Sequence, residues 1–185
     1  MGTLTIRRAF EADSHAIASI HVRGWQWAYR GHLPDAFLDG LTATLVQRDS
    51  AWRDIVARSS AEGVVERIWV AEVAGRVVGF ASTGPSRDAD AEPGTAEVYI
   101  IYLDPGRVGT GVGRALFAHA TEDLRRRGFQ TATLWVLEAN ARARRFYEAA
   151  GWRADGADKI ERRPGFALHE VRYRIDFTRA AVGDQ

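Results

Sequence analysis

The chain has 185 residues with 46% hydrophobic content, 25 basic and 24 acidic side chains, and a formal net charge of +1. That size and balance suit one domain with a core of its own, and exclude the basic excess of a nucleic-acid or membrane-surface binder. Cysteine is absent, which removes disulfides, thiolate metal ligands and any covalent cysteine intermediate, and suits a reducing compartment.

No apolar run approaches the ~18–20 residues that cross a bilayer. Met1 to Ile6 shows no charged segment leading into an apolar stretch, and Ile6 breaks the acylation pattern that Gly2 would open. A cytoplasmic protein is expected. Leu4 and Ile6 alternate with threonines and Arg7, the pattern of a short opening strand. Asp13 and Ser14 are placed to cap a helix through Ile17, Ile20 and Ala28, which Gly31 and Pro34 end. A second helix is expected over Thr42 to Ser59, with Leu45, Trp52 and Val56 inward. Ile68 to Val73 and Val77 to Ser82 are β-rich and joined by Ala74-Gly75-Arg76, a hairpin signal.

Residues 84–94 carry no periodicity and predict a loop. Ala96 to Leu103 is apolar on both faces, as a central strand is. Asp104-Pro105-Gly106 ends it, and a glycine cluster opens a helix with Val112, Ala115, Leu116, Ala120 and Leu124 inward and Gly128 as its stop. Thr131 to Leu137 predicts another strand. Asn140 caps a short helix with Ala143, Phe146, Tyr147 and Ala150 on one face, and strands near Trp152–Asp155 and Ala167–Phe177 complete the chain. There is no internal repeat or linker. The expected organisation is one domain over residues 1–177 and a tail at 178–185.

Chemistry concentrates in the run from Leu103 to Arg114. Glycines between a buried strand and an amphipathic helix let main-chain N–H groups converge, because no Cβ blocks the approach. The helix N-terminus adds unpaired donors and a partial positive charge, so the segment suits a phosphate or pyrophosphate. The dinucleotide pattern G-x-G-x-x-G fails, since its third glycine would be Arg114 or Leu116. The Gly-Lys-Ser/Thr of a P-loop fails too, because Lys159 is the chain's single lysine. A plain glycine-rich turn without ligand is the alternative. The five histidines have no metal-binding spacing, and no G-x-S-x-G is present.

Leu103-x-Pro105-x-x-Val108-Gly109-x-Gly111-x-Gly113 resembles the pyrophosphate signature of the GNAT superfamily of N-acetyltransferases. Asn140-x-x-Ala143-x-x-Phe146-Tyr147-x-x-x-Gly151-Trp152 resembles the family's second motif at its usual distance downstream. With the order of strands and helices, the resemblance spans residues 3–177. It implies an α/β single-domain fold: a mixed, mostly antiparallel central sheet of about seven strands, flanked by helices, with a splayed central strand pair. It implies acetyl-CoA as cofactor, a small-molecule or peptide amine as acceptor, direct transfer in a ternary complex and, by analogy alone, a homodimer.

The resemblance also assigns roles. Val108, Gly109, Thr110, Gly111, Val112, Gly113 and Arg114 would hold the pyrophosphate, and Ile101 and Leu103 would present main chain to the pantetheine arm. Asn140 would contact that arm as well as cap its helix, and Tyr147 would be the general acid. Glu97 is the first choice for general base through a water, with Tyr99 and Tyr102 weaker candidates. Trp25, Tyr29 and His32 would line the acceptor pocket. The family often has glutamine or arginine at position 108 and a basic residue at 110, so Val108 and Thr110 predict weaker coenzyme A binding, offset by Arg107 or Arg114. A catalytically silent acyl-CoA sensor is the competing function, and a nucleotide-binding protein is a third.

Overall fold

The computed structural model describes residues 2–61 and 63–178, so most of the expected tail, 179–185, lies outside the described residues. Its seven strands are β1 (Leu4–Arg8), β2 (Arg67–Val73), β3 (Arg76–Pro85), β4 (Thr95–Leu103), β5 (Thr131–Leu137), β6 (Arg153–Arg163) and β7 (Phe166–Asp176). They form one sheet in the order β1-β2-β3-β4-β5-β7-β6. Every pairing is antiparallel except β4 with β5. The five α-helices are α1 (Ser14–Ala28), α2 (Asp35–Gly40), α3 (Leu45–Ser59), α4 (Val112–Arg126) and α5 (Ala141–Ala149).

Helical spacing of apolar residues decides which face each helix covers. Ile17, Ile20, Trp52 and Val56 from α1 and α3 pack on Ile68, Val70 and Phe80, on one face of the sheet. Val112, Leu116 and Ala120 from α4 pack on Trp69, Ala71 and Val78, on the other. A third cluster joins Phe117 and Leu124 of α4 and Tyr147 of α5 to Val98, Leu134 and Tyr173. Each large apolar side chain so buried contributes roughly 1.5–3 kcal/mol, and these layers fix the sheet that carries the site.

Local chemistry explains most boundaries. Ala74 and Gly75 both take positive φ (51° and 73°), the twist that a two-residue hairpin needs. Gly128 closes α4 at φ 86°. Three expectations are corrected. Asp13 does not cap α1 with its side chain; its carboxylate instead accepts the Phe10 N–H (2.8 Å) and binds Arg7 (2.7 Å). The helix expected over Thr42 to Ser59 opens as a tight turn over Leu41–Thr44 before α3 begins at Leu45, and the short α2, which Pro34 starts, precedes it unannounced. Ala150 is exposed at the C-cap, where α5 has already ended. β6 also runs far beyond Asp155. Its nearly wholly exposed residues carry no apolar alternation to announce it.

The feature that positions the site is a parting of β4 and β5. They pair only at Thr95–Thr131, Ala96–Ala132 and Glu97–Thr133, yet β4 continues to Leu103 and β5 to Leu137. On its other side β4 stays with β3, with a register shift that leaves Tyr99 as the extra residue of a bulge. The bulge re-aims the strand and increases its local twist. Beyond Glu97, one edge of β4 therefore opens onto a cleft.

Candidate active site

Asp104 shapes the turn after β4: its carboxylate accepts the Gly106 N–H (3.0 Å) and pairs with Arg23 (2.7 Å). Thr110 closes the loop by donating its hydroxyl to the Arg107 carbonyl (2.7 Å). Gly109 and Gly111 sit at φ 83° and 87°, a region that other residues enter only under strain. Among the described residues, no group accepts the main-chain N–H of Gly109, Gly111, Val112, Gly113 or Arg114. Five donors thus lie at a helix N-terminus, where the dipole favours an anion. Gly113 has a separate role. A Cβ there would lie 2.7 Å from Leu103 Cδ1, so only glycine lets α4 seat this close to β4. Arg107 and Arg114 are exposed and form no ion pair among the described residues.

From this loop a cavity of about 320 Å³ runs into the cleft. Ile101 and Leu103 of β4, Val108 of the loop, Gly113 in the first turn of α4, Asn140 at the N-cap of α5 and Tyr147 within it all line it. Asn140 also caps α5, its side-chain oxygen accepting the Ala143 N–H at 3.0 Å, so both of its expected placements occur together. Tyr147 is 9% exposed and packs against Phe117, Phe146 and Tyr173. Its hydroxyl has no hydrogen-bond partner among the described residues. Burial raises its pKa well above the ordinary phenol value, with the Tyr29 phenol adding to the effect.

Glu97 is buried at the last paired position before the strands part, and it is not among the residues lining the cavity. Its Oε2 accepts the Arg87 N–H at 2.9 Å. Burial raises its pKa above the ordinary carboxylate value, and that hydrogen bond partly offsets the rise. Trp25 of α1 and Tyr29 at its C-cap line the cavity. His32 is exposed in the turn beyond α1 and lies outside the lining.

The cavity has further polar lining beyond the expected residues, and Tyr102, expected only as a weaker base candidate, is part of it. Tyr102, opposite Tyr29, shares a phenol-to-phenol hydrogen bond of 3.1 Å with it. Trp135 of β5 and Glu170 of β7 complete the far wall, and Arg142 stands over the Trp27 ring at 4.3 Å. Glu170 could be found only from the three-dimensional pairing of β7 with β5 and β6, since nothing in its neighbourhood forms a motif.

His21 also lines the cavity, tilted on Tyr102 with ring centroids 5.2 Å apart. The Trp52 indole N–H donates to its Nδ1 at 3.3 Å, which leaves the proton of the neutral ring on Nε2. Burial, helped by Arg48, lowers its pKa to about 4. An unfolded chain protonates this histidine near pH 6.5, so the unfolded state takes up an extra proton as pH falls through that window. Stability is then lost between about pH 6.5 and pH 4, by about 2 kcal/mol at pH 5. Urea unfolding at pH 7 and pH 5 will show this loss, and His21→Gln, which keeps an acceptor for Trp52 but does not titrate, will reduce it.

The sequence and the fold that carries this site are similar to those of known proteins. Residues 15–152 match the family model described as Acetyltransferase (GNAT) family. The uncharacterized N-acetyltransferase YuaI of Bacillus subtilis is 35% identical over 138 residues, 74% of this chain and 73% of that protein. A mycothiol acetyltransferase of Thermobispora bispora is 41% identical over 96 residues, 51% of this chain but only 32% of that longer protein. Among solved structures, the PaiA N-acetyltransferase of Thermoplasma acidophilum in complex with coenzyme A superposes with a TM-score of 0.72 at 16% identity, covering 94% of this chain and 99% of that one. The chain belongs to the GNAT acetyltransferase family, and so to the acyltransferases.

Proposed function

We propose that this protein transfers an acetyl group from acetyl-CoA to a primary amine by direct attack within a ternary complex. The observation that carries the reading is the set of five amides from Gly109 to Arg114, unpartnered among the described residues, at the mouth of a cleft lined by Tyr147. Acetyl-CoA supplies the activated thioester and a diphosphate that such amides can grip. Since backbone donors make up the cradle, Val108 and Thr110 in place of polar or basic residues cost charge but no donor. The exposed Arg107 and Arg114 supply that charge.

The residues then divide the work. The open edge of β4 at Ile101 and Leu103 takes the pantetheine arm as it would another strand. A main-chain N–H on that edge stabilises the negative charge that develops on the acetyl oxygen. Asn140 orients the arm from α5, and Trp25 and Tyr29 hold the acceptor. As the amine nitrogen bonds to the acetyl carbon, Glu97 takes up the proton the amine loses, through a water. Its raised pKa makes it a better base than an ordinary glutamate. Tyr147 gives its proton to the sulfur as the C–S bond breaks. With both reactants held in one cavity, proximity supplies much of the acceleration.

The test is calorimetric titration followed by an amine panel. Acetyl-CoA should bind, NAD and ATP should not, and coenzyme A thiol should be released with at least one primary amine. Indifference of the folded protein to acetyl-CoA overturns the proposal. Binding without thiol release across the panel makes the protein a sensor.

A further inference from the structure

We propose that Trp135 and Glu170 form a recognition site for the acceptor's ammonium group, and that the acceptor is a primary amine on an aromatic or alkyl body without a carboxylate. This rests on the acetyl-transfer reading above and names the substrate class for it.

The site already holds an ammonium. Lys159, the chain's single lysine, stands opposite Glu170 in the β6–β7 register. Its Nζ lies 3.5 Å from Glu170 and 4.1 Å from the centre of the Trp135 ring. Trp135 and Glu170 line the cavity, whereas Lys159 reaches them from the edge strand and is not part of the lining. A carboxylate beside an aromatic face is a combination that attracts ammonium through both charge and the ring quadrupole.

The two groups are held differently from their occupant. The Trp135 indole N–H donates to Asp88 at 2.9 Å, and Arg172, also over the ring at 5.6 Å, is fixed by Asp88, Asp90 and Asp155 at 2.7–3.2 Å. The indole is therefore oriented before any acceptor arrives. Glu170 is 21% exposed while Lys159 is 45% exposed, and pairs so open to water contribute little. An incoming ammonium can displace Lys159 at small cost and take both contacts.

The rest of the lining sets the body of the acceptor. Trp25, Trp27, Tyr29, Tyr99 and Phe146 offer aromatic surface. The lining arginine, Arg142, is turned onto the Trp27 ring. A carboxylate next to the acceptor's ammonium would face Glu170 and be repelled.

Steady-state kinetics with saturating acetyl-CoA and phenethylamine as probe will test this, with phenylalanine as the carboxylate-bearing counterpart. Acetyl-CoA calorimetry on each variant establishes that it is folded and loaded. Phenethylamine should be used at least ~10-fold more efficiently than phenylalanine, a difference set by opposing the half-buried Glu170 charge with a second carboxylate. Glu170→Gln should raise the KM for phenethylamine about 10- to 100-fold, with a much smaller change in kcat. Lys159→Met should lower that KM about two- to fivefold, because it removes the competitor. If phenylalanine is preferred, or if both variants keep the wild-type KM, the site is overturned although acetyl transfer stands. If no amine releases thiol from protein that binds acetyl-CoA, it is the acetyl-transfer reading that falls.

Discussion

Tyr147→Phe is expected to lower turnover by about 10²- to 10⁴-fold, the usual worth of a positioned general acid, while acetyl-CoA affinity stays within about twofold of wild type. The departing thiolate needs a proton, and Tyr147 lines the cavity with a hydroxyl that has no partner among the described residues. Burial holds that phenol protonated throughout the range in which enzymes are assayed. It is therefore always in the donor form, and activity should not fall between pH 7 and pH 9 through loss of its proton. Phenylalanine fills the same volume against Phe117, Phe146 and Tyr173. Because the hydroxyl has no partner among the described residues to abandon, its removal leaves no orphaned group there and the thermal midpoint should barely move. A large fall in kcat with unchanged melting and unchanged acetyl-CoA binding separates a chemical role from a packing one. Unchanged turnover in Tyr147→Phe removes the tyrosine from the mechanism.

The sequence was most informative where a local rule governs the outcome. Glycine at 109 and 111 and the strand before it announced the cradle, because positive φ and close backbone approach are properties of single residues. Asn140 announced its helix for the same reason, since capping needs only its own side chain and the next turn. The seven-stranded sheet followed from the family resemblance, whereas local pattern alone left β6 too short: its exposed, charged residues have no periodicity, and pairing with β7 defines it. The acceptor end of the site was least legible. Tyr102, Trp135 and Glu170 meet from three strands that only the sheet order places side by side. Glu97 was readable as a strand-end carboxylate, but its burial and its bond to the Arg87 N–H depend on the loop that folds back over it.

The cradle itself yields the other large effect: Gly111→Val should weaken acetyl-CoA binding by at least about 100-fold. At φ 87° a β-branched residue is strained by about 1–3 kcal/mol. A Cβ at this position meets no heavy atom within 4 Å, so the side chain has room and the cost falls on the backbone alone. The loop can relieve it by leaving the left-handed conformation, which turns the amides of Val112, Gly113 and Arg114 away from their common focus. Each hydrogen bond to a charged phosphate oxygen is worth about 1.5–3 kcal/mol. Loss of two therefore amounts to about 3–6 kcal/mol, or roughly 10²- to 10⁴-fold in affinity. Gly113 makes a poorer test, since its substitution would push on Leu103 and disturb the core as well. Arg114→Ala is the useful counterpart: it removes an exposed positive charge but keeps every amide, so its effect should be no more than severalfold and should shrink as salt is raised. Calorimetry on the two variants ranks main chain against side chain directly. If Arg114→Ala loses more affinity than Gly111→Val, the arginine rather than the glycine-built amides holds the diphosphate.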